Sequence, residues 1–152
     1  MVRNPYDRVL SAYLDKVRNP KYASIPGFQS EDRDGFSQFL DYLLVGRGKN
    51  HHFTPQVDLL AWNVSDFDHV VRLEEFADQF PKVLRSVGFD PQTDMDFSSR
   101  HGKDLPRIPP PAAPRSATER RRLFYSSRLA AIVAQIYQED FDQLSYPLDL
   151  EL

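Results

Sequence analysis

The 152-residue sequence contains no cysteine, which excludes disulfide bonds and metal sites built on thiolates. It has no apolar run near the roughly 18–20 residues that a membrane span requires, and no signal-peptide pattern is visible. The net charge of −3 gives no excess of positive charge for binding nucleic acid. These absences predict no membrane span and no nucleic-acid partner, and the lack of cysteine favours the cytoplasm as the location.

The length and the 41% hydrophobic content predict a single globular domain over residues 1–152. Apolar residues at helical spacing predict a helix over 36–45, another that begins at Glu74, and a buried helical stripe over 129–137. Pro81 predicts a break or a kink in the second of these near Phe80, because proline has no backbone donor. The helix that begins at Glu74 is expected to bury Val83, Leu84 and Val87. Ser116 or Thr118 is expected to cap the helix that follows.

Two short segments have the character of strands, namely Val2-Arg3 and residues 69–73. Each leads into a predicted helix, as in β–α units, so we expect the two to be neighbouring parallel strands. The fold class predicted is therefore α/β, mainly helical, with a short parallel sheet. Residues 89–116 contain a run of prolines and predict a long irregular loop.

The N-terminal segment has the features of a capped helix beside a phosphate site. Asn4 is a favoured N-cap and Pro5 suits the first helical position. Arg3 precedes the cap, where free backbone N–H groups and the helix dipole favour an anion. Its guanidinium can hold two phosphate oxygens at once. By residue type alone, an ordinary surface helix competes with this interpretation. One apolar stripe is formed by Tyr6, Val9, Leu10, Tyr13, Leu14 and Val17, and the other face carries Arg8, Ser11 and Asp15.

Residues 2–16, V-R-N-P-Y-D-R-V-L-S-A-Y-L-D-K, closely resemble the segment that grips the 3′-phosphate of the sulfate donor in Golgi-type carbohydrate sulfotransferases and their bacterial relatives. Three further blocks appear in the order of that family. Residues 36–44 followed by H-F-T-P-Q at 52–56 are similar to its helix and H-W-x-P-Q element. V-R-L-E-E-F at 71–76 is similar to its strand and acidic helix start, and residues 132–146 are similar to its closing segment.

The resemblance implies a P-loop-kinase-like α/β fold and transfer of a sulfuryl group from 3′-phosphoadenosine 5′-phosphosulfate to a hydroxyl acceptor, in particular a carbohydrate. After transfer, the donor is left as adenosine 3′,5′-bisphosphate. Carried over by position, Arg3 and Ser11 match the residues that bind the donor's 3′-phosphate. His52 matches the histidine of H-W-x-P-Q, for which we expect support of the cleft. Glu74 matches the glutamate at the helix start, for which we expect an interaction with a helix N-terminus.

In that family a lysine-bearing loop for the 5′-phosphosulfate precedes the 3′-phosphate segment. No G-x-x-x-x-G-K-[ST] or similar pattern occurs in these 152 residues, and the glycine-rich residues 46–49 do not precede a helix. We therefore expect an N-terminally truncated member whose catalytic base is not identified and whose activity in isolation is low. A face left without its strand and helix would favour self-association.

Three alternatives differ from this interpretation. In the first alternative, the chain is a non-catalytic remnant that binds a nucleotide or a partner. In the second, a preceding segment anchors it to a membrane. The third, a metal-dependent hydrolase, is disfavoured because no H-x-x-x-H or H-E-x-x-H spacing occurs and adjacent histidines point to different sides of a regular element. Its candidate ligands are His51, His52, His69 and His101.

Overall fold

A computed structural model describes residues 1–46, 50–90 and 116–150. This part of the chain contains six α-helices: α1 Pro5–Lys16, α2 Arg33–Leu44, α3 Phe76–Ser86, α4 Ala117–Phe124, α5 Ser127–Ile136 and α6 Gln138–Gln143. It also contains short 3-10 helices at Pro20–Tyr22, Val57–Leu59, Val64–Asp66 and Leu73–Glu75. Most of the predicted loop over 89–116 lies outside the described residues, as do His101 and residues 47–49. No described helix is long and apolar enough to cross a membrane.

Side-chain caps set where the helices begin. The Asn4 side chain accepts a hydrogen bond from the Tyr6 N–H at 3.0 Å, and Pro5 is the first residue of α1, as the sequence predicts. α2 begins three residues earlier than predicted, because the Asp32 carboxylate accepts from the Gly35 N–H at 2.8 Å. Of the two candidate caps for α4, Ser116 is the one that bonds to the helix.

α3 differs from the prediction in two respects. It runs without a break through Pro81. The proline removes only the hydrogen bond to the carbonyl of Ala77, whose exposed position leaves that group to water. α3 also buries none of its residues, and Val87 is 63% exposed. The prediction of a buried face is therefore met only in part, because Val83 and Leu84 are half-buried, with Val83 facing residues 69–71.

The two strand-like segments meet, but they do not form a sheet. Val2 and Arg72 form one isolated parallel bridge: the Val2 N–H donates to the Val71 carbonyl at 2.8 Å, and the Leu73 N–H donates to the Val2 carbonyl at 2.8 Å. The segments are thus parallel neighbours, as predicted. Within the described residues the ladder ends there, because a 3-10 helix begins at Leu73 and α1 begins at Pro5. The mainly helical character is thus confirmed, whereas the described residues form a single parallel bridge in place of the predicted short sheet.

The core is rich in aromatic side chains and lies between α1, α2, α5 and the segments that join them. Buried tyrosines direct their hydroxyls to backbone carbonyls, which satisfies polar groups that burial would otherwise leave without partners. Tyr125 donates to the Tyr6 carbonyl at 2.8 Å, and Tyr137 donates to the Phe53 carbonyl at 2.7 Å. These bonds fix the start of α1 and the H-F-T-P-Q segment against the core. The largest fully buried rings are Tyr6, Tyr13, Phe36, Phe39, Tyr125, Tyr137 and Phe141.

Candidate functional site

The backbone of Arg3 is held from both sides by one side chain. The Arg3 N–H donates to Oε1 of Gln56 at 2.8 Å, and Nε2 of Gln56 donates to the Arg3 carbonyl at 2.8 Å. The Gln56 amide thereby pairs with Arg3 as a neighbouring strand would. The half-buried guanidinium of Arg3 makes no hydrogen bond or ion pair with any residue that the structure describes. Arg3 therefore combines a fixed backbone with a cation available to a ligand.

The Gln56 side chain is in turn fixed by Asp140, whose exposed fraction is 0%. The Asp140 carboxylate accepts from the backbone N–H groups of Gln56 and Val57, both at 2.9 Å, and from Nε2 of Gln56 at 3.3 Å. A buried carboxylate with several N–H donors is stabilised by charge-assisted hydrogen bonds. Sequence reasoning missed this arrangement, although both residues lie in blocks of the resemblance, at 52–56 and 132–146.

The N-terminus of α1 is closed by the protein itself. The Asn4 N–H donates to Oε1 of Glu74 at 2.8 Å, and Oε2 of Glu74 accepts from the Tyr146 hydroxyl at 3.0 Å. The prediction of free N–H groups for an anion was wrong at Arg3, Asn4 and Tyr6, whose N–H groups all have partners. Glu74 does meet a helix N-terminus, although that helix is α1, which is distant in sequence. A bound phosphate would therefore be contacted by side chains.

Tyr146 and Arg72 hold residues 144–146 beside Glu74 and the N-terminus of α1. Burial raises the pKa of Tyr146, and the negative charge of Glu74 raises it further. The Arg72 guanidinium lies 4.8 Å from the centre of the Tyr146 ring and donates to the carbonyls of Leu144 at 3.1 Å and Ser145 at 2.7 Å. Arg72 is thus a structural cation whose donors are engaged, in contrast to Arg3.

Ser11 lies on the polar face of α1, two helical turns beyond Asn4 and about 10 Å along the axis at 1.5 Å per residue. Its half-buried hydroxyl has no hydrogen-bonding side-chain contact within the described residues, and none joins it to Arg3. A single phosphate can contact both only if the Arg3 side chain extends along α1. One turn before Ser11, Arg8 donates to the His51 carbonyl at 3.3 Å and so brings the histidine segment to this face.

His52 is half-buried and lies beside the C-terminal half of α1. The centre of its ring is 6.4 Å from that of the Tyr22 ring, and the His52 backbone N–H donates to Oδ1 of Asn50 at 3.0 Å. Partial burial lowers the pKa of His52, and the neighbouring His51 and Lys16 lower it further. The rings of His51 and His52 are 4.0 Å apart, so the expectation that they point apart was wrong, because this segment is a turn and not a regular element. The position of His52 suits support of the α1 face.

The sequence matches the sulfotransferase family over residues 1–147. The chain belongs to the sulfotransferase family. No curated protein and no solved structure shows significant similarity to it. Membership indicates a sulfotransferase fold and a transferase activity.

A bidentate ion pair anchors α1 of this sulfotransferase family member to α4. Nε of Arg121 donates to Oδ1 of Asp7 at 2.8 Å, and Nη2 donates to Oδ2 at 2.5 Å. The side chains are only 20% and 8% exposed, so water screens the pair weakly. The bond to Asp7 raises the pKa of Arg121. Among the described residues, no three His, Cys, Asp or Glu side chains cluster closely enough to hold a metal ion.

Proposed function

We propose that this chain binds 3′-phosphoadenosine 5′-phosphosulfate by its 3′-phosphate and takes part in sulfuryl transfer to a hydroxyl of a carbohydrate. The observation that carries the proposal is the Arg3 guanidinium, which has no partner in the described residues while its backbone is clamped by Gln56. Family membership over residues 1–147 supports the transferase assignment. The resemblance of residues 2–16 to the 3′-phosphate segment supports the choice of ligand.

Arg3 and Ser11 have different roles in this proposal. Arg3 supplies an ion pair and up to two hydrogen bonds to the phosphate, and losing such a charge-assisted contact costs roughly 1.5–3 kcal/mol. Ser11 supplies a single hydroxyl hydrogen bond without a charge of its own, so we expect its contribution to be smaller. The Glu74 carboxylate lies at the start of α1 and repels a phosphate that approaches the helix end. We therefore expect the phosphate to sit along the polar face of α1, toward Ser11.

Sulfuryl transfer resembles phosphoryl transfer in its physical demands. The acceptor oxygen attacks sulfur, the bond from sulfur to the 5′-phosphate oxygen breaks with its electron pair on that oxygen, and a base takes the hydroxyl proton. Positioning and electrostatic stabilisation dominate such reactions. Arg3 and Ser11 would position the donor from its 3′ end, and adenosine 3′,5′-bisphosphate would leave.

Calorimetry with adenosine 3′,5′-bisphosphate tests the binding step. Arg3→Ala should weaken binding about 10- to 100-fold, and Ser11→Ala should weaken it less, roughly 3- to 10-fold. Arg128→Ala is the matched control, because Arg128 lies on α5 in an exposed ion pair with Asp41. Equal affinity for Arg3→Ala and the parent would contradict the proposal.

A second candidate function, nucleotide binding without catalysis, is favoured by one observation. No lysine-bearing phosphate loop pattern occurs in the 152 residues. The two functions share the Arg3 contact and differ in transfer. Transfer of labelled sulfate to sugar acceptors distinguishes them: the first function predicts slow transfer that Arg3→Ala abolishes, and the second predicts nucleotide binding with no transfer above background.

A further inference from the structure

The hydrogen bonds that join Arg3, Gln56 and Asp140 form what we call the Arg3 clamp. A surface depression of about 390 Å³ lies next to this clamp, between residues 57–66 and α6. Val57 lines it and directly follows Gln56, which holds Arg3. Glu139 and Gln143 line it from α6 and flank Asp140, which fixes Gln56. The depression and the clamp are therefore built on the same junction, and the volume is within the range of small-ligand sites.

Trp62, the single tryptophan of the chain, forms part of this lining and is 69% exposed. Phe67 contacts it edge-on, with ring centres 6.3 Å apart and planes at 72°. A tryptophan side chain carries one of the largest apolar surfaces available to a protein, and covering it is favourable. The depression thus presents a flat, oriented aromatic surface to solvent.

The charged groups that the described residues contribute around Trp62 are all acidic. Asp58, Asp66 and Glu139 contribute carboxylates, and Asn63 contributes an amide. Among the residues that the structure describes, no lysine, arginine or histidine lines the depression. Carboxylates accept hydrogen bonds from hydroxyls and repel anions. Oδ2 of Asp66 also accepts from the Asn63 N–H at 3.1 Å, which helps to fix the turn that carries Trp62.

We propose that this depression binds an uncharged saccharide, with one C–H face of a sugar ring on the Trp62 indole and the ring hydroxyls donating to the carboxylates. A saccharide offers both chemistries at once, an apolar face and a set of hydroxyl donors. A sulfated or uronic acid chain would meet three carboxylates and no cation from the described part of the chain. The role of this sugar as the sulfuryl acceptor rests on the proposed function; its binding does not.

Fluorescence provides a local readout, because Trp62 is the only tryptophan. The unmodified chain is titrated with chito-, cello- and malto-oligosaccharides, and separately with heparin and chondroitin sulfate fragments. At least one uncharged series should change the Trp62 emission with a dissociation constant in the millimolar range or tighter, and the anionic fragments should bind at least ten-fold more weakly. No change with any uncharged series would overturn the inference, as would tighter binding of the anionic fragments.

Variants place the site independently of fluorescence, by saturation-transfer NMR with the saccharide found above. Trp62→Ala should weaken binding at least ten-fold, while Trp62→Phe should retain part of it. Phe89→Ala is the control, since Phe89 is also an exposed aromatic residue, at 54%, and lies outside the depression. Equal loss in Trp62→Ala and Phe89→Ala would refute the site. Binding of adenosine 3′,5′-bisphosphate by the same samples separates this outcome from failure of the proposed function.

Discussion

Replacing Asp140 by asparagine is the sharpest perturbation of the Arg3 clamp. The substitution keeps the shape of the side chain and removes one acceptor oxygen. In the parent, Oδ1 accepts from the Val57 N–H, and Oδ2 accepts from the N–H and side chain of Gln56. Whichever way the new amide is oriented, its NH₂ group faces at least one backbone donor. One buried N–H then loses its partner.

A buried donor without a partner costs about 1–3 kcal/mol, and the surviving contacts lose their charge assistance. We therefore expect Asp140→Asn to lower the free energy of unfolding by about 2–4 kcal/mol. For a chain of this length that corresponds to a fall in Tm of roughly 4–16 °C. The loss is a large share of the about 5–15 kcal/mol that stabilises a typical domain.

Urea unfolding followed by circular dichroism measures this difference. Asp142→Asn is the matched control, because Asp142 lies on the same helix, is exposed and should change stability by less than about 0.5 kcal/mol. The affinity for adenosine 3′,5′-bisphosphate should also fall in Asp140→Asn at a temperature where the variant is folded. If Asp140→Asn is as stable as Asp142→Asn, the Asp140 carboxylate does not hold Gln56 in the way described.

Three further predictions concern stability and turnover. Arg121→Ala should destabilise the fold by about 2–3 kcal/mol in urea titrations, because it leaves the buried Asp7 carboxylate unpaired; Arg128→Ala, which removes an exposed pair, should cost less than about 1 kcal/mol. Burial raises the pKa of Tyr13 to about 12, so the stability that its neutral hydroxyl contributes is complete below pH 10 and is lost as the pH rises toward 12. The urea midpoint should therefore fall less steeply between pH 9 and pH 11.5 in Tyr13→Phe than in the parent. The same dependence of the midpoint on pH in both proteins would contradict this. The 152 residues should transfer little or no radiolabelled sulfate to sugars, because no lysine-bearing phosphate-loop pattern occurs in them and a single preorganised donor changes the rate of such reactions about 100- to 1000-fold; robust turnover abolished by Arg3→Ala would show this expectation to be wrong.

Local signals in the sequence were sufficient to predict α1 and its surroundings. Asn4 and Pro5 specify the start of the helix by their own chemistry, and the apolar spacing specifies its buried face. The buried stripe of α5 follows from the same periodicity, with Leu129 and Val133 inside the core. The proximity of Val2 to residues 69–73 followed from the order of strand-like and helical segments.

The features that were not predicted depend on contacts between distant residues. The bonds from Gln56 to Arg3 and to Asp140 join residues 53 and 84 positions apart, and no local pattern encodes such a pair. Periodicity likewise showed that α3 has an apolar face, but it carries no information about what covers that face. The closure of the α1 N-terminus by Glu74 was missed for the same reason.

We propose that Arg3 recognises the 3′-phosphate of the sulfate donor. The most direct measurement compares the affinity for adenosine 3′,5′-bisphosphate with that for adenosine 5′-monophosphate, in the parent and in Arg3→Ala. We expect the 3′-phosphate to strengthen binding at least ten-fold in the parent and Arg3→Ala to lose most of this advantage. The same preference for the bisphosphate in both proteins would contradict it.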